Sequence, residues 1–105
     1  MGLQSTASQG VPKPTKGIQI KTQGASGHPK MYSVPEGKYF EGFIYMSNAS
    51  TPGPKIDDVE VVHPSINQAS TNGRPHPFVL MSGQVVAAGT NTSYYTYVIG
   101  AEYDL

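Results

Sequence analysis

"KYFEGFIYMSNAS", residues 38–50, decides the fold. In an extended strand, successive side chains point to opposite faces. Phe40, Ile44 and Met46 then share one face with Gly42 between them, and Tyr39, Phe43 and Tyr45 share the other, interrupted by Glu41. The first row suits a core, and a chain of 105 residues has room for one core. The second row has two readings. Either the chain covers it with its own loops, for which the long segment from Pro64 to Pro77 is the candidate, or it is an interface to a subunit or partner. An aromatic, charge-poor surface is what interface cores show. We expect Tyr39, Phe43 and Tyr45 to form an oligomer interface, joined by Tyr94 from the even-numbered face of the last strand.

Outward from this stretch, residues 31–105 form an all-β pattern. "MYSV" (31–34) is a short strand that "PEG" turns into the long one. "SNASTPGP" (47–54) is a loop. "KIDDVEVVH" (55–63) is expected as a strand with Val59 and Val61 on one face and Asp58, Glu60 and Val62 on the other. A turn-rich loop containing "NG" follows. "FVLM" (78–81) and "VVAAG" (85–89) flank the turn "SGQ" (82–84), and "TSYYTYVIGAEYDL" (92–105) closes the chain. No stretch keeps a 3.6-residue apolar period over three turns, so no helix is expected. Short strands separated by Gly- and Pro-rich turns indicate a sandwich or barrel.

Residues 1–30 differ in composition. They are rich in Ser, Thr, Gly, Pro, Gln and Lys, with Leu3, Val11, Ile18 and Ile20 as the only large aliphatic residues. Pro12 and Pro14 favour extended backbone. "GIQIKT" (17–22) alternates as a short strand would. Such a segment cannot bury enough apolar surface to fold alone. The expected division is an extended N-terminal arm over 1–30 and a β-sandwich domain over 31–105, with Val11, Pro12, Ile18 and Ile20 as the arm's contacts to a partner.

Composition narrows the function. Charged residues make up 13% of the chain, against roughly 25% in average globular domains, and the formal net charge is zero. No basic patch could neutralise several phosphates, so nucleic-acid binding is not expected. With seven tyrosines and few charges, the surface favours association over repulsion. The absence of cysteine excludes disulfides, thiol catalysis and thiolate metal sites. "MGLQSTASQG" has neither the basic nor the apolar region of a signal peptide. "MGLQST" fits the N-myristoylation pattern but lacks a polybasic partner. No apolar run approaches the ~20 residues of a membrane helix.

The candidates for chemistry are sparse. His28, His63 and His76 each precede proline and share no local ligand spacing, so turn positions explain them better than a metal site. Asp57, Asp58 and Glu60 form the one acidic cluster, which paired carboxylate chemistry or calcium could use. The solvated side of a half-buried strand is the simpler account. Ser82 in "SGQ" lacks the G-x-S-x-G frame of a nucleophile elbow. "NAS" at Asn48 and "NTS" at Asn91 match the glycosylation acceptor pattern and are read as surface turns. No catalytic residue, metal or cofactor is expected, and the chain is read as not an enzyme.

One resemblance extends this reading. "VPEGKYFEGFIYMSNAS" (34–50) and "PFVLMSGQVVAAGTNTSYYTYVIGAEY" (77–103) resemble small jelly-roll domains of tailed-phage virion proteins, namely capsid decoration (cement) proteins and head-fibre or spike domains. The shared features are the "VPEGK" turn, a strand with a central glycine, the "SGQ" turn and the final "Y-x-V-x-G". The resemblance covers roughly residues 31–105. It implies a jelly-roll-like β-sandwich with an extended N-terminal arm, on the outside of a phage capsid in the virion, made in the host cytoplasm. The implied partners are the major capsid protein and further copies of the chain, as trimers or less often dimers, with no nucleic acid and no membrane. The alternative within the same resemblance is a receptor- or glycan-binding module of a tail, spike or head fibre, using loop tips such as Asn67 to Arg74 or exposed tyrosines.

Overall fold

A computed structural model describes residues 11–47, 53–61 and 76–105. Eight strands occur in it: β1 (Lys16–Gln23), β2 (Lys30–Ser33), β3 (Lys38–Met46), β4 (Lys55–Ile56), β5 (Val59–Glu60), β6 (His76–Met81), β7 (Val85–Ala87) and β8 (Tyr95–Asp104). No helix occurs among the described residues. The strands form two four-stranded antiparallel sheets, in the orders β1-β8-β3-β6 and β2-β7-β4-β5. Pairings nest along the chain: β1 with β8, β2 with β7, β3 with β6 and β4 with β5. One long hairpin is thus folded over itself, and its two layers make a β-sandwich.

The core lies between the layers. Phe40, Ile44 and Val98 of the first sheet are fully buried with Val86 of the second, and Ile18, Tyr32, Val34 and Leu80 complete the cluster. Even-numbered residues of β1, β3, β6 and β8 supply the first sheet's share, as period-2 alternation requires. The inward row expected for β3 is the buried one, Met46 included. Gly42 and Gly100 are opposite each other in the β3–β8 register. A Cβ on Gly42 would stand 2.8 Å from Phe40 Cζ, and one on Gly100 2.9 Å. The glycine pair therefore makes the room in which the Phe40 ring lies.

Two expectations are corrected. The first is the division at residue 30. β1 pairs with β8 along its whole length, from Lys16 opposite Glu102 to Gln23 opposite Tyr95, and Ile18 belongs to the core. The Thr15 N–H and hydroxyl both donate to the Glu102 carbonyl, at 2.8 and 3.1 Å. A polar strand cannot fold alone, but it needs only one neighbour to share a core. Low apolar content is thus compatible with membership of the sandwich. Ile18 and Ile20 pack within the domain, while Val11 and Pro12 are exposed ahead of it. Residues 1–10, with Leu3 and the "MGLQST" pattern, lie outside the described residues.

The second correction concerns "KIDDVEVVH". Asp57 and Asp58 are not strand residues but the tip of the β4–β5 hairpin, with φ of 51° and 66°. Two successive left-handed residues are what a tight primed turn demands, and Asp tolerates that region. Asp57 also ties the hairpin to β7: its carboxylate accepts from the Val85 N–H at 2.9 Å and from Gln84 Nε2 at 3.2 Å.

Candidate interaction surface

Period-2 alternation sends the odd-numbered residues of the first sheet to its outer face. Strand register then arranges them in rows. Met81, Tyr39 and Tyr103 form one row, and Val79, Glu41, Ala101 and Gly17 the next. Pro77, Phe43, Ile99 and Gln19 form a third, and Tyr45, Tyr97 and Lys21 a fourth. Val79 is 59% exposed, Met81 47% and Phe43 45%, so nothing among the described residues covers the middle of this face. Glu41 is the one acidic side chain in these rows.

The tyrosines are held in pairs. Tyr39 and Tyr103 stack with centroids 5.1 Å apart and planes 14° from parallel. Tyr45 and Tyr97 stack at 4.9 Å and 20°. Each ring covers one face of its neighbour. Lys21 Nζ stands 4.6 Å from the centroid of the Tyr95 ring, a cation–π contact. Stacking fixes the side-chain rotamers before any partner arrives, which lowers the entropy lost on binding.

Three of the four expected interface residues, Tyr39, Phe43 and Tyr45, lie on this face. Tyr94 does not. It precedes β8 in a turn, where its N–H donates to the Asn91 carbonyl at 3.1 Å and its own carbonyl accepts from the Gly24 N–H at 2.9 Å. The even-numbered side of β8 carries the buried Thr96, Val98 and Glu102. The tyrosines that join the face are the odd-numbered Tyr95, Tyr97 and Tyr103. Their shared parity with Ile99 was the available signal.

Glu102 is the functional-looking group that sequence reasoning passed over. It is 4% exposed, and its Oε2 accepts a 2.7 Å hydrogen bond from the Tyr32 hydroxyl across the sandwich. Burial, and then the Glu102 carboxylate, push the Tyr32 phenol well above its ordinary value near 10. Tyr32 also meets Phe40 edge-on, with centroids 5.4 Å apart. The pair ties one sheet to the other.

The remaining chemical candidates have structural partners or lie elsewhere. His28, at φ 55°, places Nδ1 2.9 Å from the Ala88 carbonyl. Glu60 Oε2 accepts from the Gly53 N–H at 2.9 Å. The Ser82 hydroxyl donates to the Lys38 carbonyl at 2.6 Å and fixes the "SGQ" turn. Asn91 Oδ1 accepts from the Ser93 N–H at 2.9 Å. Among the described residues no group of three His, Asp or Glu side chains converges as a metal site. His63, Asn48, the Asn67–Arg74 loop tip and the "NG" turn lie outside the described residues. No helix among the described residues is long and apolar enough to cross a membrane. No protein-family model, curated protein or solved structure matches the chain.

Proposed function

We propose that the chain is a structural virion protein, a capsid decoration (cement) protein that binds the outside of an assembled phage head and stabilises it. The observation that carries this reading is the outer face of the β1-β8-β3-β6 sheet, with its exposed Phe43, Val79 and Met81 between two stacked tyrosine pairs. Among the described residues this face is uncovered, and exposed apolar side chains grouped in this way are what interaction sites present. The nested pairing of eight strands in two sheets supports reading the sandwich as a jelly roll. Mutual stacking occupies one face of each of four tyrosine rings, which favours a protein partner over a platform for sugar rings.

The partners in this reading are the major capsid protein and further copies of the chain, on the capsid's outer surface. No catalytic step and no cofactor enter it. A protein that binds the assembled shell and not its free subunits stabilises the shell by mass action at every symmetric site. Engaging several subunits at once multiplies a modest affinity. The segment ahead of β1, with the exposed Val11 and Pro12, supplies a second contact.

Cosedimentation of the full chain with intact heads and with dissociated capsid protein tests the proposal. Binding to heads alone is the expected result. Equal binding to both would contradict it, and binding to neither while a glycan array gives a defined ligand would replace it with the receptor-binding alternative.

A further inference from the structure

We propose that the tyrosine face pairs with the same face of a second copy, about a two-fold axis lying along the Phe43–Ile99 row. The inference rests on reading this face as a protein interface, but not on the shell as a partner. Its basis is the row pattern. Let a second copy be laid face to face, with its strands running opposite, and let the axis cross the strands at Phe43 and Ile99, which are opposite each other in register. Each strand then lies over its own copy, and the row two residues before the axis meets the row two residues after it.

The facing rows are complementary in size and in chemistry. Ala101 of one copy meets the Tyr97 ring of the other, and Gly17 meets Lys21, so small side chains oppose large ones. Glu41 meets Tyr45. A carboxylate with no cation beside it in its row would be costly to cover, and a phenol hydroxyl from the facing copy is the donor it needs. The protein already joins its own two sheets by this bond, from the Tyr32 hydroxyl to Glu102 at 2.7 Å. Phe43 and Ile99 meet themselves at the centre, where apolar contact carries no charge conflict.

Area sets the strength. β1, β8 and β3 overlap their own copies over about eight residues each, which at about 4.8 Å spacing and about 3.3 Å per residue gives on the order of 400 Å² per copy, or about 800 Å² in total. That is below the standard size of a stable contact, so the dimer is weak and forms at high local concentration.

The chain has no cysteine, which makes single-cysteine variants clean reporters. The test combines sedimentation of the full chain with cross-linking by a short bis-maleimide. Ile99→Cys, on the axis, is expected to cross-link to itself. Glu41→Cys and Tyr45→Cys are expected to cross-link in a mixture several-fold more than either does alone. Phe43→Glu, which sets two carboxylates against each other at the axis, is expected to weaken dimerisation at least tenfold with strand circular dichroism unchanged. If that variant fails to fold, Phe43→Ser tests the same contact without a charge. A chain that stays monomeric at about 1 mM, where even a contact of ~4 kcal/mol would show, overturns the proposal. So does a dimer indifferent to both Phe43 variants, or Glu41→Cys cross-linking to itself as well as to Tyr45→Cys. Dimerisation without head binding would sink only the decoration reading, and head binding by a strict monomer only this inference.

Discussion

Gly42 and Gly100 show how much a single missing side chain decides. Their close approach in the β3–β8 pair seats the Phe40 ring, and a methyl group on either would press on that ring and on the opposing backbone. Gly42→Ala is therefore expected to destabilise the domain by about 1–3 kcal/mol, read by urea unfolding, although glycine is normally a poor strand residue. Tyr32 gives a second test. Its phenol ionises near 10 in the unfolded chain and well above that in the fold, because burial and then the Glu102 carboxylate oppose the phenolate. This contribution is fully present below about pH 10 and is lost as pH rises from there toward the raised folded value. Unfolding free energy should thus fall across the alkaline range, and Tyr32→Phe should flatten that fall. The same variant should cost about 1–3 kcal/mol at neutral pH, since Glu102 keeps its burial and loses its donor. The glycine at 42 was visible in the sequence as a gap in an apolar row. Its partner 58 residues away, and the tyrosine–carboxylate pair, were not, because register between distant strands is not written in either strand alone.

β3 was legible in bounds and inward row, since the "PEG" turn before it and the "SNASTPGP" loop after it frame nine residues whose positions 40, 44 and 46 share one face. The contrast between its faces is testable. Ile44→Glu, at a fully buried position, should unfold the domain, while Phe43→Glu should leave thermal stability nearly unchanged. Similar unfolding by both would mean that something covers the outer row. β1 was harder. Its alternation marked a strand, but eight residues with one buried side chain say nothing of where the strand docks. Removing residues 1–13 should shift stability by less than about 1 kcal/mol, as the deleted positions from Val11 on are exposed. Removing residues 1–23 should cost at least the ~2–5 kcal/mol of deleting a buried isoleucine and leave the β8 edge bare. The β4–β5 hairpin was misread because "DD" between apolar residues is an infrequent turn signal beside "NG" or "DG". Tyr94 was misplaced by one residue of parity, and a slip of one residue exchanges the faces of a strand.

At the scale of the molecule, one sheet face carries the proposed function. The sandwich buries an ordinary core on one side of β3 and β8 and presents paired tyrosines and bare aliphatic side chains on the other. Low charge favours association, and a weak contact repeated over a symmetric shell becomes strong. Composition led to the expectation of association, and alternation in β3 disclosed a second apolar row. The partner is not encoded by either, because complementarity is a property of two surfaces. Cryo-electron microscopy of assembled phage heads mixed with the full chain addresses this most directly. The account predicts density for the sandwich at symmetry-repeated positions on the outside of the head, with Phe43 buried in a contact. Particles with bare heads, or the chain located only at a tail or fibre tip with Phe43 facing solvent, would contradict it.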